Sequence, residues 1–119
     1  MAEYKGKLLP FTKGKTVDIE YLYNTSELKI WKKGNQAFLS AQGVTCDSNY
    51  KIATLPDGWK PAFIPIPTCL ALYSNTWKWA YFGLNASSGD ISIGSISGIT
   101  TGTISTGSAI YGQCTWIVS

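Results

Sequence analysis

The sequence contains no histidine and no arginine. Without histidine there is no Ser–His or Cys–His nucleophile, no imidazole metal ligand, and no side chain whose ordinary pKa lies near neutrality. Without arginine there is no guanidinium fork for phosphate. Ten lysines against seven acids leave a net charge of only +3, too mild a balance for a dedicated nucleic-acid binder. Cys46, Cys69 and Cys114 are too few and too widely spaced for a CxxC site or a disulfide framework, so buried free thiols are expected. No apolar run approaches a membrane span, and the opening Met-Ala-Glu-Tyr-Lys-Gly-Lys has no apolar signal core. The chain is therefore expected to be made as a soluble protein without membrane insertion, and to need no cofactor and no metal.

Charge itself is nearly missing from one half. Residues 1–60 hold nine lysines and six acids, whereas residues 61–119 hold only Lys78 and Asp90. Soluble monomers ordinarily keep about a quarter or more of their surface residues charged. The second half must therefore be covered, either by other subunits or by a neutral, hydroxyl-rich ligand. At 119 residues with 45% apolar side chains, a single domain is expected over residues 1–119.

What is present reads as strands. Val17, Ile19, Tyr21 and Tyr23 alternate with Asp18, Glu20 and Leu22, a two-residue period, and Leu28 to Trp31 resumes the run after Asn24-Thr25. Gly34-Asn35 marks a turn, followed by Gln36 to Ser40 and a second turn near Gly43. Tyr50 to Thr54 is expected as a strand ending at Leu55-Pro56-Asp57-Gly58, a turn with proline second and glycine fourth. Pro61, Pro65 and Pro67 forbid a helix and favour an extended edge segment. Cys69 to Tyr73 and Trp77 to Leu84 are the next strands, separated by Ser74-Asn75-Thr76. Ser87-Ser88-Gly89-Asp90 suits a hairpin turn before Ile91 and Ile93. The last strand, Ala109 to Val118, puts Ile110, Gly112, Cys114, Trp116 and Val118 on one face. Ile96, Ile99 and Ile104 hold no fixed period, which excludes a solenoid. The pattern predicts an all-β sandwich or barrel.

Short motifs give little chemistry. Gly14-Lys15-Thr16 lacks the first glycine and the following helix of a phosphate loop. Ser26-Glu27-Leu28-Lys29 imitates S-x-x-K but lies on a strand pattern without its partner motifs. Among the carboxylates, Glu3 lies near the start of the chain and Asp57 and Asp90 sit in turns. Asp18 and Glu20 share a solvent-facing row among lysines. A polysaccharide-cleaving enzyme would need two facing carboxylates, Asp47 being one candidate. No calcium loop occurs. No catalytic residues are assigned, and the protein is not expected to be an enzyme.

Trp77, Trp79 and Tyr81 alternate with Lys78, Ala80 and Phe82. With Ala80, Phe82 and Leu84 as the core row, the three aromatics face the other way. Such a row can stack on the C–H face of a sugar, with indole N–H and phenol O–H giving directional bonds. Tyr73 and Asn75, in the preceding strand and turn, complete a candidate saccharide site of Tyr73, Asn75, Trp77, Trp79 and Tyr81. The alternative is that the row packs against a second sheet or a neighbouring subunit.

From Gly43-Val44-Thr45 through Tyr50-Lys51-Ile52-Ala53 to Leu55-Pro56-Asp57-Gly58-Trp59-Lys60-Pro61, the chain resembles the C-terminal head domains of tailed-phage receptor-binding, tail-fibre and baseplate proteins. Gly89-Asp90-Ile91-Ser92-Ile93 and the aromatic strand Tyr111 to Val118 extend the resemblance over roughly residues 36–119. It implies a homotrimeric head, a jelly-roll-like antiparallel β-sandwich or barrel like that of lactococcal phages, carried on the virion at the tail tip or another surface appendage, made in the host cytoplasm and contacting other virion proteins. Residues 1–35 match less well and would supply N-terminal strands linking to a shaft or virion. It would bind a bacterial cell-wall or surface saccharide without cleaving it. A structural virion protein, a capsid decoration or baseplate scaffold that binds no sugar, is the alternative.

Overall fold

The computed structural model describes residues 18–96 and 104–119. Glu3, Gly14-Lys15-Thr16, Val17 and Ile99 lie outside the described residues. The strands in chain order are β1 (Ile19–Asn24), β2 (Leu28–Lys33), β3 (Gln36–Thr45), β4 (Lys51–Thr54), β5 (Thr68–Tyr73), β6 (Thr76–Leu84), β7 (Asp90–Ser95) and β8 (Ala109–Ile117). Every ladder is antiparallel, and the spatial order is β1-β2-β3-β8-β5-β6-β7-β4. The expected all-β antiparallel class is what the chain adopts, as one eight-stranded sheet curled into a half-barrel.

The curl follows from chain reach. β3 stands third in the sheet and β4 eighth, five inter-strand steps away, or about 24 Å if the sheet were flat. The connection, Cys46 to Tyr50, would span at most about 20 Å fully extended. It is far from extended. Asp47 Oδ1 accepts the N–H groups of Asn49 (2.8 Å) and Lys51 (2.9 Å), and the Asp47 carbonyl accepts that of Tyr50. Tyr50 itself turns through a positive φ of 60°. The sheet must therefore bend until β4 arrives beside the end of β3, where Cys46 exchanges backbone bonds with Gly107 and Ser108.

Small side chains on the concave face permit this bend. Ala37, Ala41, Ala53, Ala71, Ala80, Cys46, Cys69 and Cys114 are all buried, leaving room for Ile30, Leu39, Leu55, Phe82, Ile91 and Ile110. At Gly112 a Cβ would crowd Cys69 and the Phe82 ring, so this position must stay bare. The connection from Leu55 to Pro67 then crosses one end of the barrel. Trp59 is buried there, and its carbonyl accepts the Trp116 indole N–H at 2.7 Å. Lys32 donates to the Gly58 carbonyl at 2.7 Å and stands 4.3 Å over the Trp59 ring, tying the β1–β2 hairpin to this plug.

Several local expectations shift by one residue. No turn forms at Gly43; β3 runs through it as a bulge, with the register against β8 slipping between Gln42 and Val44 at a φ of +96°. A second slip between Tyr21 and Tyr23 divides the β1 apolar row, so Ile19 and Tyr21 are exposed while Leu22 and Tyr23 pack on the core. The proline turn is closed by Trp59 N–H to Pro56 O, which makes Pro56 first and Gly58, at φ +90°, third. A positive φ at the third position is what demands glycine there. Between β6 and β7, Asn85 Oδ1 accepts the N–H groups of Ser87 and Ser88.

Gly89 ties the β6–β7 loop to the plug, its carbonyl accepting Leu55 N–H at 2.7 Å. Its φ is +81°, and a Cβ would run into the Leu55 carbonyl. Gly89→Ala is therefore expected to lower stability by about 3 kcal/mol. Gly34→Ala, at φ +65° but with open space around it, should lose only about 1 kcal/mol. Urea unfolding of both variants checks the difference.

Candidate functional site

The alternation of β6 separates its residues cleanly. Ala80, Phe82 and Leu84 are buried, whereas Trp77 is 53% and Trp79 47% exposed on the convex face. Across the ladder, Trp79 is in register with Leu70 of β5, and Leu70 with Tyr111 of β8. Leu72 lies opposite Trp77. The Trp77 and Tyr111 rings meet at 5.4 Å with an interplanar angle of 59°. This tilt leaves ring faces open. Outward positions on the three strands are Thr68, Leu70 and Leu72, Trp77, Trp79 and Tyr81, and Ala109, Tyr111, Gln113, Thr115 and Ile117, none of them charged. The result is a neutral aromatic platform fringed by hydroxyl and amide groups.

The five residues anticipated from the sequence do not all gather here. Trp77 and Trp79 do. Tyr81 lies in the same row, but its ring covers Gly94, where a Cβ would run into it. It helps line a shallow groove of about 420 Å³ with Ile66, Thr68, Ser95 and Ile96. Tyr73 sits on the other side of the sheet, sharing a small cavity of about 160 Å³ at the barrel mouth with Ala71, Thr76, Lys78 and Ser105. Asn75, at φ 62°, occupies the tip of the two-residue turn beside it. Tyr111 belongs to the platform and was not anticipated. Its outward direction follows from Ile110 and Gly112 pointing inward, but its neighbourhood to Trp77 depends on β8 pairing with β5, a long-range fact.

A second group of aromatics has a different character. Tyr21, Trp31 and Phe38 stand in register across β1, β2 and β3. Trp31 and Phe38 stack at 5.3 Å with only 12° between their planes, and Tyr21 lies 6.3 Å from Trp31. These rings spend their faces on one another and hold the hairpin to the sheet.

Glu20, Asp47, Asp57 and Asp90 are engaged in structure. Asp57 pairs with Lys60 at 3.0 Å, Asp90 with Lys51 at 3.6 Å and with the Thr54 hydroxyl at 3.1 Å, and Glu20 reaches Lys32 at 4.0 Å. Asp47 caps its own turn, and the bonds from Lys51 and Asn49 N–H hold its carboxyl below the usual carboxylate range. Among the described residues no three Cys, Asp or Glu side chains cluster as metal ligands would. All three cysteines are buried and free. Burial pushes the thiols of Cys69 and Cys114 up to about 12, Cys114 adding to the effect on Cys69.

Two outcomes follow from these environments. The Asp47 carboxylate stabilises the fold above its ordinary value near 3.8, and this contribution is lost as pH falls through the lower folded value. Asp47→Ala should therefore be less stable than the parent at pH 7, and the gap should close on acidification below about 4, as urea melts at several pH values would record. Cys69 and Cys114 should resist alkylation at pH 8 in the native protein and react once it is unfolded, which mass spectrometry after iodoacetamide treatment measures.

No protein-family model, curated protein or solved structure matches the chain.

Proposed function

We propose that the protein is a non-enzymatic adhesion head of the tailed-phage receptor-binding type, which recognises a bacterial cell-surface saccharide as a homotrimer mounted on other virion proteins. The observation that carries this reading is the uncharged platform of Trp77, Trp79 and Tyr111, whose tryptophans are 53% and 47% exposed. Covering such a surface with a neutral sugar strips water from apolar ring faces and from no ion, so little desolvation opposes binding. Pyranose C–H faces lie against the indoles, while Gln113, Thr115 and the Tyr111 hydroxyl offer hydrogen bonds to sugar hydroxyls. A single shallow platform binds weakly. Three on one head, and many heads on one particle, raise avidity by about 10² to 10⁴.

Trp79→Ala is expected to weaken binding to purified host wall glycan by about tenfold per site, the worth of one aromatic stacking contact. Its half-exposed position should keep the loss of stability near or below about 1 kcal/mol. Calorimetric titration and urea unfolding measure the two effects. Affinity should stay flat from pH 5.5 to 8, since the sequence has no histidine. Glycan length should be unchanged after prolonged incubation; new reducing ends would establish a hydrolase. A parent protein that binds no glycan would favour the structural virion role.

A further inference from the structure

The extended segment after the proline turn exposes a row of large apolar side chains that the described residues leave uncovered. Phe63 is 79% exposed, Ile64 51% and Ile66 69%, and Ile117 of β8 adds another at 41%. Phe63, Ile64 and Ile66 follow one another along the segment, and the Ala62 N–H bonds the Ile117 carbonyl at 2.8 Å, which sets Phe63 beside the end of β8. At its other end the ridge adjoins the shallow groove that Ile66 lines with Thr68, Tyr81, Ser95 and Ile96. Contiguous exposed apolar surface of this kind marks an interaction site.

The segment is also stiff. Pro61, Pro65 and Pro67 fix their φ angles. Pro61 bridges Val118, and the Pro67 carbonyl accepts Phe82 N–H at 3.0 Å, so both ends are pinned. A preorganised ridge loses little conformational freedom on docking. Pro65 and Pro67 bring no N–H, so a partner would engage side chains and not add a strand.

We propose that this ridge is the contact between copies of the chain, Phe63 and Ile64 of one copy seating in the groove beside Ile66 of another. Charge selects this occupant. No ionic side chain lies between Lys60 and Lys78 in the sequence, and the groove residues are likewise neutral, so ridge and groove match each other's chemistry on one molecule. The cation bordering the segment, Lys60, is engaged by Asp57 at 3.0 Å and by the Ser87 carbonyl at 2.9 Å, which disfavours an anionic lipid surface. The proposal deepens the homotrimeric reading given above by naming the surface that holds the copies together, and it does not depend on sugar recognition.

Light scattering coupled to size exclusion, on the 119-residue chain and on Phe63→Asp, Ile66→Asp and Trp79→Ala, tests it. The parent should run at a multiple of 12.9 kDa at micromolar concentration. Either aspartate variant should fall to the single-chain mass, or weaken association by at least about tenfold, with an unchanged far-ultraviolet spectrum. Trp79→Ala should keep the parent mass. A parent that stays monomeric at roughly 100 micromolar overturns the proposal, as do aspartate variants that keep their full mass. Dissociation by Trp79→Ala would move the contact to the aromatic platform, and flotation of the parent with phosphatidylcholine vesicles would make the ridge a lipid contact; each overturns it. An assembled parent that ignores glycan removes the adhesion reading and leaves the contact standing. A monomeric Phe63→Asp that keeps single-site glycan affinity supports both.

Discussion

The bond between β3 and β4 along the chain is too short for a flat sheet, and most of the structure follows from that. A turn clamped by the Asp47 carboxylate must carry the backbone from the third to the eighth position of the sheet. Only a strongly curled sheet allows it. Curling divides the side chains into a concave set, which must be small or interlocking, and a convex set, which the fold leaves uncommitted. The alanine-rich and cysteine-containing interior and the bare Gly112 satisfy the first demand.

The uncommitted face carries the exposed tryptophans on which the proposed saccharide reading rests. Convex side chains add little to the core, so the tryptophans at 77 and 79 are not required there by packing. A solvent-facing strand could carry lysine or threonine at these positions at small loss to the fold. The proposed ligand would cover these rings, and the uncharged outward positions around them narrow its class. The contrast with Trp31 and Phe38 sharpens the point: rings stacked on one another stiffen a sheet, whereas rings tilted apart present a surface.

Much of this was legible locally and the rest was not, for a physical reason. Strand period is a two-residue property, so the alternation of Ala80, Phe82 and Leu84 with the tryptophans is written in the sequence. So are the turns at Gly34-Asn35 and Ser74-Asn75. Bulges escape such a reading, because a single extra residue reverses the facing of everything after it; Gly43 and Leu22 both do this. The one-residue displacement of the proline turn is of the same kind. Strand order escapes more completely. That Tyr111 meets Trp77 while Tyr73 looks into the barrel mouth is decided by which strands pair, and nothing local to either tyrosine records it.

The place of β8 carries a consequence for how the molecule comes into being. It lies between β3 and β5 and, among the described strands, joins the β1-β2-β3 ladders to the β5-β6-β7-β4 ladders. Seven of the described strands precede it in the chain, so the β1-β2-β3 ladders and the β5-β6-β7-β4 ladders are complete in sequence before the strand that joins them. Its insertion joins them in one late zipping event of high contact order. The junction thus rests on pairs far apart in the chain, such as Leu39 with Cys114, and a change that unseats β8 would part the sheet along a single seam.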